Sequence, residues 1–252
     1  MLELFNLHGG YSGCDTICDV SLCFPKGQIT AIVGQNGCGK STLLKLACGQ
    51  LTKSDGKILL CGDELADLHR KEIAQKISYL PQMRTVPDIT AESLVLHGRF
   101  PWLGYPRVYT ENDRKLALDA MERVGVASVR KKLLTRLSGG ERQKVYLAML
   151  IAQNTDVVLL DEPTTYLDIE HQLELIDLLT TLKLVGKTVA LVLHDLNMAL
   201  THADRIAVMQ KGRLLATDTA QGILQAGVLE IAFGVKVQLE ERYCFEKLCD
   251  NK

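Results

Sequence analysis

Ile29-Thr30-Ala31-Ile32-Val33-Gly34-Gln35-Asn36-Gly37-Cys38-Gly39-Lys40-Ser41-Thr42 joins an apolar run to a glycine-rich segment that ends in a lysine and two hydroxyl residues. Gly34 to Thr42 fits G-x-x-x-x-G-K-[ST] without a mismatch. The apolar run Ile29 to Val33 reads as a buried strand. Leu43, Leu44, Leu46 and Ala47 continue in helix-forming residues, so the strand-loop-helix context that the motif requires is present. Gly34, Gly37 and Gly39, with Gln35, Asn36 and Cys38 between them, let successive backbone N–H groups converge on a polyphosphate. The helix that follows adds the positive end of its dipole. Lys40 is expected to reach the β- and γ-phosphates, Ser41 to offer its hydroxyl to Mg²⁺, and Thr42 to place a second hydroxyl on the phosphate chain.

Outward from this loop, strand and helix signals alternate. Short β-rich runs at Leu2 to Leu7, Ile17 to Phe24 and Ile58 to Leu60, parted by glycine-containing turns, predict an antiparallel layer beside the nucleotide site. Val157 to Leu160 and Thr188 to Leu193 are nearly continuous apolar runs, the mark of parallel strands buried on both faces. Each is followed by a polar residue at its C-terminal end, where ligands of open α/β sheets bind. Asp161-Glu162, a carboxylate pair between a buried strand and Pro163, therefore reads as site rather than solvated turn. Between Pro81 and Asn154 the strand signals fade, and an inserted helical subdomain is predicted. Thr110 and Asp113 form a capping-box pattern; Ala117, Met121 and Val124 then repeat at helical spacing, and Gly125 ends the helix.

Leu137-Ser138-Gly139-Gly140-Glu141 opens another helix. Ser138 precedes Glu141 by three positions, so each can satisfy the other's N–H in a capping box. That accounts for the segment in purely structural terms. A second account is compatible with it: Ser138, Gly139 and Gly140 form a further phosphate-binding helix start, remote in sequence from the first. A hydroxyl has one donor and two lone pairs, so Ser138 can cap its own helix and still donate to a phosphate oxygen.

Composition fits a compact enzyme. The 252 residues, 47% hydrophobic, suffice for one large α/β domain or two small ones. A formal charge of −1 argues against a nucleic-acid partner held by bulk electrostatics. The cluster Arg130-Lys131-Lys132 is short enough to be a solvated loop or helix end. Eight cysteines, Cys14, Cys18, Cys23, Cys38, Cys48, Cys61, Cys244 and Cys249, lack zinc-site spacing and read as free buried thiols in a reducing compartment. Cys38, in a loop of N–H donors near a lysine, is expected to have enhanced thiolate character and to be the point at which a thiol reagent inactivates the protein. Met1 to Asn6 lacks a signal-peptide pattern and no apolar run approaches membrane-spanning length, so the chain is not expected to cross a membrane by itself.

Together these segments resemble the ATP-binding cassette (ABC) family, from about Leu2 to about Asp218. The phosphate loop, the signature Leu137 to Glu141, the acidic strand Val157 to Glu162, Gln82 in Tyr79-Leu80-Pro81-Gln82, Thr164-Thr165-Tyr166-Leu167-Asp168, and His194 in Leu193-His194-Asp195 all match, in order. The signature departs only in ending on Glu141, where the family most often has glutamine. Either residue completes the capping box. The resemblance implies an α/β P-loop NTPase fold with a parallel sheet, an antiparallel β subdomain and an inserted helical subdomain. It implies one cassette over 1–220, with core segments at about 1–82 and 155–220, a helical subdomain at about 83–154, and an extension at 221–252 to which no chemistry is assigned.

The same resemblance implies roles. Asp161, Ser41 and Gln82 would hold Mg²⁺, Glu162 would orient and deprotonate the attacking water, and His194 would bridge the γ-phosphate and the catalytic centre. Gln82 would report the γ-phosphate to the helical subdomain, and Tyr11 would stack on adenine. Since the signature of one cassette completes the ATP site of another, a chain with one phosphate loop and one signature is expected to dimerise around two ATPs, with Asp168 contacting the partner. His97-Gly98-Arg99-Phe100-Pro101-Trp102 and Thr165 to Ile169 look like importers of iron-siderophore, haem and cobalamin type. Trp102 serves equally as loop packing or partner contact. Expected partners are a second copy, membrane permease subunits and, indirectly, an extracytoplasmic binding protein, with the chain peripheral on the cytoplasmic face. The alternatives are another transported cargo or a soluble cassette ATPase of DNA repair or translation. Proteins of the latter kind typically resemble paired cassettes or cassettes split by long coiled coils, and neither heptad runs nor a second phosphate loop appears here.

Overall fold

A computed structural model describes residues 1–82, 85–165 and 167–235. Met83, Arg84, Tyr166 and everything beyond Val235, including Cys244 and Cys249, lie outside the described residues.

Two sheets frame the molecule. The first runs β2-β1-β4-β5 and is antiparallel throughout, from β1 (Leu2–Tyr11), β2 (Cys14–Phe24), β4 (Lys53–Leu60) and the short β5 (Asp63–Glu64). The second runs β10-β9-β3-β8-β7-β6, with β3 (Ile29–Gly34), β6 (Ile77–Leu80), β7 (Val157–Asp161), β8 (Thr188–Val192) and β9 (Arg205–Gln210) parallel. Only β10 (Arg213–Asp218), at its edge, is antiparallel.

The continuous apolar runs of β3, β7 and β8 have a direct cause. Ala31, Val33, Val158, Leu160, Val189 and Leu191 enter one hydrophobic cluster, while Ile32, Val157, Leu159, Ala190 and Val192 enter the other. Alternate side chains face opposite sides of a sheet that is covered on both. One cover is the antiparallel sheet with α1 (Lys40–Ala47). The other contains α6 (Ile169–Leu184), α7 (Leu196–His202), α8 (Ala220–Gln225) and α9 (Val228–Phe233). Ile223, Val228, Leu229 and Ala232 are buried in that second cluster, so the described part of the C-terminal stretch packs on the sheet.

β1 and β2 outrun their apolar patterns, which suggested Leu2 to Leu7 and Ile17 to Phe24. β1 continues through Gly9 and Gly10 because the approach is too close for side chains: a Cβ on Gly10 would sit 1.9 Å from the Cys14 carbonyl oxygen. Backbone pairing, with register shifts, carries the ladder where alternation stops.

α2 (Arg70–Lys76) leads into β6, and the predicted helical insertion follows as α3 (Ala91–His97), α4 (Glu111–Arg123) and α5 (Gly139–Gln153). Thr110 caps α4 reciprocally with Asp113, Ala117 and Met121 face inward, and Gly125 lies beyond the end at φ 71°. Arg99, buried after α3, bonds Asp113 Oδ1 at 3.0 Å and the Ala152 carbonyl at 2.9 Å, which ties the three helices together. Among the described residues, no helix is long and apolar enough to cross a membrane.

Candidate nucleotide site

The loop between β3 and α1 is a backbone structure that side chains would destroy. A Cβ on Gly34 would lie 2.4 Å from the Met209 carbonyl oxygen; one on Gly39, at φ 102°, would lie 2.7 Å from Ile17 Cδ1. Lys40 folds back over the loop, donating to the carbonyls of Gly34 at 2.8 Å and Gln35 at 3.0 Å. Its ammonium is thus held at the mouth of the cradle by contacts that a phosphate oxygen can replace. Thr16, Asn36, Gly37, Gly39, Lys40, Ser41, Thr42, Gln82, Glu162 and His194 line a cavity of about 350 Å³ here.

β7 carries the acidic pair to this cavity. Asp161 is only 3% exposed. Its Oδ1 accepts from the Ser41 hydroxyl at 2.9 Å and its Oδ2 from the Tyr79 hydroxyl at 3.2 Å. Burial pushes the Asp161 carboxyl up, and the Ser41 and Tyr79 bonds offset this only in part. Burial, followed by the neighbouring Asp161, likewise drives the Tyr79 phenol up, so it remains a donor. Glu162 follows at φ 51°, a left-handed conformation uncommon outside glycine. That turn brings its carboxylate between Gln82, whose amide donates to Oε2, and His194, whose Nε2 lies 2.5 Å from Oε1. The Gln82 amide therefore meets Glu162 rather than the Ser41–Asp161 pair.

The signature residues stand elsewhere. Ser138 caps α5 as expected: its Oγ accepts from the Glu141 N–H at 3.2 Å, and Glu141 Oε2 accepts from the Ser138 N–H at 2.8 Å. The Ser138 N–H, followed by the Ser138 hydroxyl, holds the Glu141 carboxyl below the usual carboxylate range. Ser138, Gly139, Gly140 and Glu141 do not line the phosphate cavity. Asp168 caps α6, accepting from the His171 N–H at 3.0 Å, and its exposed carboxyl is held low by that bond and by the His171 ring. Tyr11, 47% exposed at the end of β1, takes a hydrogen bond from Lys45 at 3.1 Å and lies outside the residues lining the phosphate cavity. Trp102 donates to the Gln153 carbonyl at 2.8 Å, tying its loop to the end of α5 while remaining 41% exposed.

Cys38 corrects the sequence reading. Its thiol is buried, and burial raises its pKa more than the nearby Lys40 lowers it. A cradle of donors faces the ligand, whereas this side chain turns away from it, towards Gly34. It is a packed thiol and not an activated one. The cysteines among the described residues are all free, but Cys14, Cys23 and Cys61 are exposed rather than buried as expected, on strand and turn positions that face away from the core.

Several further residues contribute to the site. Thr16 reaches the cavity from β2. Gly212, in the β9–β10 turn, donates its N–H to the Cys38 carbonyl at 3.0 Å and accepts from the Cys18 N–H at 2.9 Å, pinning the phosphate loop to the antiparallel sheet. Gln143 ties α5 to the acidic strand through the Pro163 carbonyl at 2.7 Å. Of these, only Gly212 could have been suspected, as a glycine in a turn between apolar runs.

A family model described as ABC transporter matches residues 17–165, which contain the loop, the signature and the acidic pair. The chain belongs to that family. It is an ABC ATPase, and domains of this kind bind ATP. The cassette is similar to the iron(3+)-hydroxamate import ATP-binding protein FhuC of Bacillus subtilis, 38% identical over 91% of this chain and 86% of that protein. It is also similar to the ferric enterobactin transport ATP-binding protein FepC of Escherichia coli, 37% identical over 91% of this chain and 86% of that one. Among solved structures, the dimeric structure of a bacterial ABC transporter cassette superposes with a TM-score of 0.78 at 27% identity, over 87% of this chain and 99% of that one.

Proposed function

We propose that this cassette is the ATP-hydrolysing subunit of an importer that drives uptake of an iron chelate, siderophore or haem, or of cobalamin, through membrane permease subunits. The observation that carries the cargo class is the similarity, across nine-tenths of the chain, to ATP-binding proteins named for iron-hydroxamate and enterobactin transport. The nucleotide chemistry rests on the site itself.

Bound in the cradle, the phosphates would take over Lys40 from the Gly34 and Gln35 carbonyls. The adjacent oxygens of Ser41 and Asp161 suit a hard cation that keeps few protein ligands and would hold Mg²⁺, with Gln82 joining them only once its amide leaves Glu162. When bound, that ion supplies charge neutralisation on the phosphate oxygens. Glu162 orients a water and takes its proton; its carboxylate is already gripped between Gln82 and His194, which limits its freedom to the arc facing the cavity. Tyr11 stacks on the adenine. Gln82, touching Glu162 at the edge of the helical insertion, relays the state of the γ-phosphate.

The signature helix start cannot serve the chain's own cradle without lining it, so it serves the partner's. Two copies then sandwich two ATPs, with Asp168 at the seam. The dimer sits on the cytoplasmic face of the membrane against its permease, and an extracytoplasmic binding protein delivers cargo. A strain lacking this chain, grown on defined iron chelates, haem or cobalamin as the limiting source, tests the reading. Growth on at least one should fail, return with the wild-type cassette, and not return with Glu162→Gln. Normal uptake of all three in the deletion strain would overturn the cargo class.

A further inference from the structure

We infer that His171 is a positioning residue for the shared ATP site, holding the Asp168 carboxylate and the start of the signature helix in fixed relation. The inference rests on the two-subunit reading above. Asp168 Oδ1 receives two contacts from the same residue: the His171 N–H at 3.0 Å and the ring Nδ1 at 2.5 Å. The backbone bond alone satisfies the cap of α6, so the ring contact is surplus to helix formation. It fixes which way the carboxylate points.

The opposite edge of the ring faces α5 across the space that a side chain on Gly140 would fill. A Cβ built on Gly140 would find His171 Nε2 at 3.5 Å, Cε1 at 3.6 Å and Cδ2 at 3.7 Å as its three nearest neighbours. Gly139, by contrast, has nothing within 4 Å of its Cβ position. Two successive glycines give this helix start unusual backbone freedom, and His171 is the side chain that backs it. One turn further along both helices, Lys144 and Glu174 pair at 2.5 Å, a second rung between α5 and α6. The imidazole is therefore the rung nearest the donors that would face a phosphate. Positioning at this level matters because a displacement of about 1 Å can cost about a hundredfold in rate.

The test uses the full-length chain carrying Glu162→Gln, with Mg-ATP-dependent dimerisation followed by sedimentation velocity. ATP affinity at low protein concentration and thermal midpoint are measured alongside. His171→Ala removes both contacts; His171→Asn keeps a donor for Asp168 without the distal ring edge; His171→Phe keeps that edge without the donor. The expected result for His171→Ala is roughly tenfold weaker dimerisation, the size of one hydrogen bond's worth of free energy, with partial recovery in Asn and Phe. Monomer ATP affinity and thermal midpoint should stay at the parent's values. Three variants that dimerise like the parent would remove His171 from this role. So would a His171→Ala chain whose dimerisation falls only in step with its monomer affinity and thermal midpoint, as a merely structural residue's would. A parent that stays monomeric in Mg-ATP would instead sink the two-subunit reading itself, and this inference with it.

Discussion

At Asp161 the needs of the ligand oppose those of the fold. A carboxylate 3% exposed is costly to ionise, and its two hydrogen bonds do not make up the difference, so its folded pKa lies above the ordinary value. Between the unfolded value, about 3.9, and the higher folded one, the native state binds more protons. Stability therefore falls as pH rises through that window, and the full cost persists at neutral pH. Asp161→Asn should raise the thermal midpoint of the nucleotide-free chain at pH 7, by about 2–4 °C for each kcal/mol relieved. The gain should shrink as pH falls towards 4, and the stabilisation conferred by Mg-ATP should be lost. Scanning calorimetry at both pH values, with and without Mg-ATP, checks this; a lower midpoint at pH 7 without nucleotide would refute it. The sequence placed Asp161 and Glu162 in the site because a charged pair ends an apolar strand. It could not show the left-handed turn at Glu162, and it misjudged Cys38, because a proximity rule sees a lysine two residues away and not the burial around the thiol.

At the level of elements, local patterns were legible and long-range ties were not. Thr110 and Asp113 announced the start of α4 from a spacing of three. That Arg99 closes on the same carboxylate follows only from packing, since 14 residues separate them. Gly212 and Cys38 are an extreme case, joined across the β9–β10 turn with nothing in either local sequence to pair them. Asp113 is also the electrostatic opposite of Asp161. Burial pushes its carboxyl up, but the Thr110 hydroxyl and N–H and the Arg99 guanidinium outweigh it and hold the net value below the ordinary range. Its contribution is therefore present above the unfolded pKa of about 3.9 and lost as pH falls through the lower folded value. Asp113→Asn keeps a capping side chain but leaves Arg99 buried without its counter-charge, so it should cost roughly 3 kcal/mol at pH 7. Urea midpoints at pH 7 and pH 3 should show the deficit against the wild type narrowing at the lower pH. A deficit undiminished at pH 3 would mean that Asp113 matters for shape and not charge.

On the scale of the molecule, the parallel sheet, the antiparallel layer and the helical insertion were all foreseeable, because each rests on a periodicity or on its interruption. What a linear reading leaves open is whether the phosphate loop and the signature meet. They do not line one cavity, although Gln143 and Gln82 connect the signature helix and the helical insertion to the acidic strand. Ser138 lets this be tested without confusing a blocked site with a damaged helix. Aspartate caps helices about as well as serine, so Ser138→Asp should preserve the start of α5 while placing a negative charge where a neighbour's phosphate would lie. Ser138→Arg removes the cap, at a cost of about 1 kcal/mol, and fills the space instead. Both should bind ATP as isolated chains with wild-type affinity, and both should lose roughly a hundredfold or more in hydrolysis, as when a single transition-state donor is removed. Mixing supplies the decisive measurement. Ser138→Asp combined with Lys40→Ala on separate chains leaves one intact composite site per mixed dimer, so activity should reappear on mixing although neither chain hydrolyses alone. No recovery on mixing, with both chains folded and heterodimers present, would place the signature's action within its own subunit.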